Sequence, residues 1–169
     1  MTAVAGSVLT AAQWNQNVRD NLLETAPAQA SAISQYFVSD APNSIVARVA
    51  QTAAVLTSET TTSTSFTDLT TPGPAVTVNT GTMALVVVAA STSNSGAGST
   101  RMAYDISGST TLASADNRGM GNANTDIVVA ATVVLETGLT PGSNTFTAKY
   151  RVASGTGTFL SRRIVVMPF

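Results

Sequence analysis

The chain has 169 residues, 44% of them hydrophobic but only 10% charged and 5% aromatic, with a net charge of −1. That length suits one medium domain with an appendage, and the charge balance leaves no basic surplus to neutralise nucleic-acid phosphates. Cysteine and histidine are both absent, which removes disulfides, thiolate nucleophiles, the commonest general base and the commonest transition-metal ligands.

Met1–Ser7 is small and aperiodic, and Met1–Thr10 lacks a positive segment followed by an apolar one, so no secretory signal is expected. Val8–Glu24 is the one segment that predicts a helix. Thr10 can cap it, Gln13 completes a capping box, and Leu9 can staple onto Trp14. Trp14, Val18 and Leu22 recur four residues apart, along a face too narrow to form a core alone. That stripe is either an assembly or docking seam or a contact with the chain's own β-domain. Arg19, Asp20 and Asn21 beside it are either inter-subunit hydrogen-bonding groups or a solvated face. Pro27 ends the helical pattern.

Gln35–Val38 and Ser44–Val49 predict a hairpin around the turn formers Ser39–Asn43. From Gln51 onward, strand-like stretches alternate with Gly, Pro, Asn and Ser turns. Predicted strands are Thr52–Thr57, Ser65–Leu69, Ala75–Asn79, Met83–Ser91, Met102–Ser107, Asp126–Glu136, Asn144–Val152 and Phe159–Met167. Met83–Ser91 and Asp126–Glu136 are nearly continuous apolar runs, as in strands covered on both faces. In Asn144–Val152, by contrast, Phe146, Ala148, Tyr150 and Val152 alternate with Thr145, Thr147, Lys149 and Arg151, the pattern of a half-exposed strand. The run Ala84–Ala90 is far too short to span a bilayer. A core rich in Ala and Val stabilises less per residue, which argues for further burial between subunits.

The chemistry-bearing candidates are sparse. Asp105, Asp116 and Asp126 lack calcium-loop spacing and read first as turn residues. Gly119-Met120-Gly121 is no phosphate loop, because no Lys-Ser/Thr follows it. Asn122 and Asn124 are either sugar-reading amides or loop filler. Arg162 and Arg163 sit in one strand, so alternation turns one inward, or the strand is bulged there. A Ser–Lys pair using Lys149 is the one nucleophile arrangement left formally open.

Leu9, Thr10, Ala11, Ala12, Trp14, Asn15, Val18, Arg19, Asp20 and Asn21 together resemble an N-terminal motif of tailed-bacteriophage virion proteins. The segment around Tyr36, Phe37, Asn43, Ile45, Ala47 and Arg48 resembles the hairpin of phage tail-fibre-like proteins, with Asp40-Ala41-Pro42 where a small residue and glycine are usual. TSTSFTDL, PGPAVTV and LTPGSNTFTAKYRV are similar to the β-domain of virion proteins from phages of actinobacteria.

The expected fold is mainly β: a short N-terminal helix and hairpin followed by an antiparallel, jelly-roll-like β-sandwich. The expected division is an arm and attachment helix over 1–27, a connector and hairpin over 28–50, and the sandwich over 51–169. The resemblance implies a non-enzymatic virion structural protein, made in the host cytoplasm and carried on the virion surface. It implies a homotrimer that decorates the head or belongs to the tail, in contact with other virion proteins. Leu9, Trp14, Val18, Arg19, Asp20, Asn21, Leu22, Tyr36, Phe37 and Ile45 are its candidate assembly residues. No cofactor, nucleic acid or membrane insertion is expected. The alternative is a module that binds a host receptor or surface glycan through Asn94–Ser99 and Gly108–Thr125, with Tyr104 and Tyr150 as stacking platforms.

Overall fold

The computed structural model describes Val8, residues 10–19, Leu22 and residues 30–169. The chain divides into two compact units, Met1–Ala47 and Arg48–Phe169. In the first unit, helix α1 spans Ala11–Trp14. Its start is the predicted capping box: the Gln13 amide donates to the Thr10 hydroxyl at 3.2 Å, and the Thr10 amide donates to the Gln13 side chain at 3.0 Å. The helix then widens into a π-helical turn over Asn15–Arg19. That departs from the single α-helix expected over Val8–Glu24. A π-turn inserts an extra residue, so side chains four apart no longer stack. Trp14 is 56% exposed and Leu22 61%, while Val18 between them is half-buried.

Strands β1 (Tyr36–Ala41) and β2 (Ser44–Arg48) form the predicted hairpin, with a tighter turn than expected. Ser39, Asp40 and Ala41 belong to the first strand, leaving only Pro42-Asn43 to turn. Proline presets the first turn position, and Asn43, at φ 59°, supplies the left-handed second one. Asparagine therefore does the work usually given to glycine.

The second unit is an antiparallel β-sandwich of jelly-roll type. Its strands are β3 (Gln51–Val55), β4 (Glu59–Thr61), β5 (Ala75–Thr80), β6 (Met83–Asn94), β7 (Thr100–Gly108), β8 (Met120–Asn122), β9 (Val128–Thr137), β10 (Gly142–Val152) and β11 (Gly157–Pro168). One sheet has the order β5-β10-β7-β8, the other β3-β11-β6-β9 with β4 also on β11. The expected strand at Ser65–Leu69 is absent. Only Thr67 pairs there, exchanging backbone hydrogen bonds with Tyr150 where β5 has ended.

The core lies between the sheets and is less thin than the composition suggests. Tyr104, Phe146, Tyr150 and Phe159 are fully buried in it among Val86, Val88, Ile164 and Val166. Tyr150 meets Phe159 edge-on at 4.9 Å between ring centroids, a favoured aromatic geometry. Strand β11 keeps its apolar residues inward through a bulge: three steps from Leu160 to Arg163 face two from Ser91 to Ala89. Ser161, at φ 54°, takes the strained position. Without the extra residue, Arg163, Val165 and Met167 would turn inward; with it, Ile164 and Val166 do.

Candidate functional site

The two sheets share a core, but their outer faces carry opposite chemistry. Outside β9 stand Val129, Ala131, Val133 and Leu135, which register with Ser91, Ala89, Val87 and Leu85 of β6. Across β6, Val87 registers with Val165 of β11, and Val165 in turn with Thr52 of β3. Val129 is 77% exposed, Val133 61% and Leu135 53%. The expectation that β6 and β9 are covered on both faces is therefore corrected for β9: within the sandwich its outer residues are exposed, whereas those of the central strand β6 are half-buried between their neighbours. Arg163, opposite Ala54 and Ala89, is the one charge in these rows.

The other outer face is charged and concave. Lys149 and Arg151 of β10 and Asp105 of β7 floor a groove of about 780 Å³. One wall is Thr64–Asp68, held alongside β10 by the Thr67–Tyr150 bridge. The other includes Ala113, Ser114 and Asp116 and is anchored at Leu112, which bridges to Ile106 of β7. Just beyond this wall Gly119 lies against β7; a Cβ there would come within 2.8 Å of the Ala103 Cβ, so only glycine permits the approach.

Within the groove every charge has a partner. The Lys149 ammonium donates to both Asp68 oxygens at 2.9 and 2.8 Å and lies 3.7 Å from Asp105. Arg151 forks onto Asp116, its Nε donating at 2.9 Å, and its guanidinium lies 5.4 Å from the Phe66 ring centroid. Arg101 adds a second cation 3.8 Å from Asp116. Hydrogen bonds from Arg151 hold the Asp116 carboxyl below the usual carboxylate range, whereas burial pushes Asp105 up against the pull of Lys149. Burial alone would push Lys149 down; its bonds to Asp68 and the nearby Asp105 outweigh this and hold it up.

Two further ionic groups lie inside the sandwich, the second of them linking the two sheets. Arg162, fully buried, donates to the Thr71 carbonyl and the Thr57 hydroxyl, both at 3.3 Å, and lies 3.4 Å from Glu59. Arg162 is thus the inward member of the arginine pair, and its carboxylate partner lies in the same chain. On β7, the Tyr104 hydroxyl donates to Glu136 of β9 at 2.6 Å, with Arg118 3.8 Å from the same carboxylate. Burial first, then that hydrogen bond, pushes Tyr104 far above the usual phenol range. Tyr150, pushed the same way by burial, donates to the Gly73 carbonyl at 2.7 Å. Neither tyrosine reaches the surface, so the expectation that they serve as stacking platforms is corrected.

Of the sequence-predicted assembly residues, Leu9, Asp20 and Asn21 lie outside the described residues. Arg19 is exposed in the π-helical turn; Tyr36 and Phe37 are half-buried on β1, and Ile45 is exposed on β2. Asp105 and Asp116 come together in the groove, but Asp126 does not line it. Asn122 is buried, its amide donating to the Thr92 carbonyl at 2.9 Å, which makes it a loop anchor rather than a surface reader. Sequence reasoning missed Phe66 and Asp68; the alternation of β10 already put Lys149 and Arg151 on one face.

Among the described residues, no helix is long and apolar enough to cross a membrane, and no group of three or more Asp or Glu side chains is placed to hold a metal. No protein-family model matches the chain, and no curated protein matches its sequence.

Proposed function

We propose that this chain is a non-enzymatic structural protein of a bacteriophage virion. It is a homotrimer, held to head or tail by its N-terminal region and displaying the sandwich outward. The observation that carries the assembly reading is the bare apolar face of β9, β6 and β11. With β3 alongside, its rows cover on the order of 500 Å² at ordinary strand spacings, toward the upper end of the largest apolar patch of a monomer, a size at which such a patch is often functional. Apart from Arg163, its Val, Leu, Ala, Ser and Thr side chains carry no charge to select a partner of opposite sign, so further copies of the same chain suit it. The order of three and the virion role rest on the N-terminal and hairpin resemblance. The Lys149 ammonium is tied to Asp68 at 2.9 and 2.8 Å and faces Asp105 at 3.7 Å, which gives it a structural partner rather than a nucleophile to activate.

Native mass spectrometry of the full chain tests the assembly, and imaging of the intact particle tests its place. A trimer and density at head or tail are expected. A monodisperse monomer both in solution and on the particle would overturn the trimer.

A further inference from the structure

We propose that the groove between Thr64–Asp68 and Ala113–Asp116 is a binding site for a neutral, hydroxyl-rich saccharide segment. This rests on the groove alone and not on the virion reading. Its charges cancel: Asp68, Asp105 and Asp116 face Lys149, Arg151 and the adjacent Arg101. A site for an anionic or cationic ligand would leave a charge of the opposite sign uncompensated; this one leaves none.

What the pairing leaves is hydrogen-bonding capacity. A carboxylate offers about four acceptor positions, and each of these three spends only part of that number on its partner. The arginine and lysine N–H groups stand beside them, and the hydroxyls of Thr64, Ser65 and Ser114 line the walls. Donors and acceptors thus alternate over a few ångströms. Vicinal sugar hydroxyls, each both donor and acceptor, match such an array, whereas an apolar ligand would leave it unpaired. Because the ion pairs lock the side chains in place, little ordering is needed on binding.

Size and shape agree. The walls lie three strand rows apart, at Thr67 and Leu112 on either side of β10 and β7. That is about 14 Å between backbones, wide enough for a sugar ring with its substituents. A volume of about 780 Å³ suits a short oligosaccharide better than one ring. Phe66 adds a half-buried apolar edge to one wall, and the Arg151 guanidinium over its ring fixes its orientation.

The test presents the full-length protein to an array of defined neutral oligosaccharides built from hexoses, pentoses, deoxyhexoses and N-acetylhexosamines, with sialylated and sulfated glycans beside them. Hits are measured by calorimetry and saturation-transfer NMR. Saturable binding of at least one neutral oligosaccharide is expected. Ala113→Trp, which fills the groove from an exposed wall position, should weaken it at least tenfold with unchanged thermal unfolding. Thr64→Trp on the opposite wall is a second blocking variant if the first misfolds. Absence of binding across the neutral set by the folded protein would overturn the proposal. So would binding confined to the charged glycans, or affinity that survives both tryptophan variants.

Discussion

Strands β10 and β9 run through the same sandwich, yet one alternates strictly and the other does not. On β10, Phe146, Ala148, Tyr150 and Val152 are buried, while Thr145, Thr147, Lys149 and Arg151 face outward. On β9, Val129, Ala131, Val133 and Leu135 face outward with no polar residue among them. Water selects the first pattern, because an exposed face must carry groups it can hydrate. The second costs solubility in a lone chain, so it points to protein as the expected neighbour. The sandwich therefore has one outer face of polar and charged residues and one outer face of apolar ones.

Breaking that asymmetry should have its largest effect on assembly. Val133→Asp places a charge in the middle of the apolar rows, where its desolvation within a contact costs several kcal/mol. The native mass should fall to that of a single chain, while Ser107→Asp, exposed on the opposite sheet, should leave it unchanged. Equal behaviour of the two variants would remove the distinction between the faces.

The core beneath both faces should respond next. Phe146 is fully buried against Tyr104, and Phe146→Ala should cost about 3–5 kcal/mol. Denaturant unfolding of the Val133→Asp monomer background would separate this from the assembly contribution. There, Leu135→Ala should cost less than about 1 kcal/mol, because Leu135 is already in water.

Acid sharpens the comparison more gently, because the ionic pairs among the described residues of the sandwich lie on the solvent-facing sheet and in its interior. Asp116 is held low by Arg151, and Glu59 by the Thr71 hydroxyl and amide. A lowered carboxyl pKa adds stability that is complete above its unfolded value and is lost as pH falls through the folded one. Asp105 has the opposite sign: burial raises it, so its ionisation opposes folding and protonation relieves that cost. The net expectation is a shallow decline in melting temperature below about pH 4. Arg151→Gln should flatten it. A decline beginning near neutrality would mean that other groups dominate.

The smallest effect belongs to the hairpin. Asn43→Val places a β-branched residue at positive φ and should destabilise the turn by about 1 kcal/mol, whereas Asn43→Gly should be tolerated. Amide exchange across β1 and β2 would register the difference.

Much of the fold was legible because it rests on local rules. The capping box needs only Thr10 and Gln13 at their spacing. The turn formers announce the hairpin and most strand ends, and the alternation of β10 needs only a period of two. The π-turn after Trp14 was not legible, since no local residue demands it. The bulge in β11 lay between: two adjacent arginines signalled trouble with alternation. Only the buried aromatic cluster and Glu59 decided that Arg162 goes in and Arg163 out.

The sequence by itself determined that the chain is a β-protein with one capped helical start, one strand facing water, and two strands too apolar for it. It did so because periodicity and turn chemistry act over a few residues. Tertiary structure alone decided that the two apolar strands are neighbours and pool their bare faces. It alone brought Phe66 and Asp68 to Asp105, Asp116, Lys149 and Arg151 around one groove. These contacts join segments up to 85 residues apart, from Phe66 to Arg151, and the pairing of distant strands, not any local pattern, sets which of them meet.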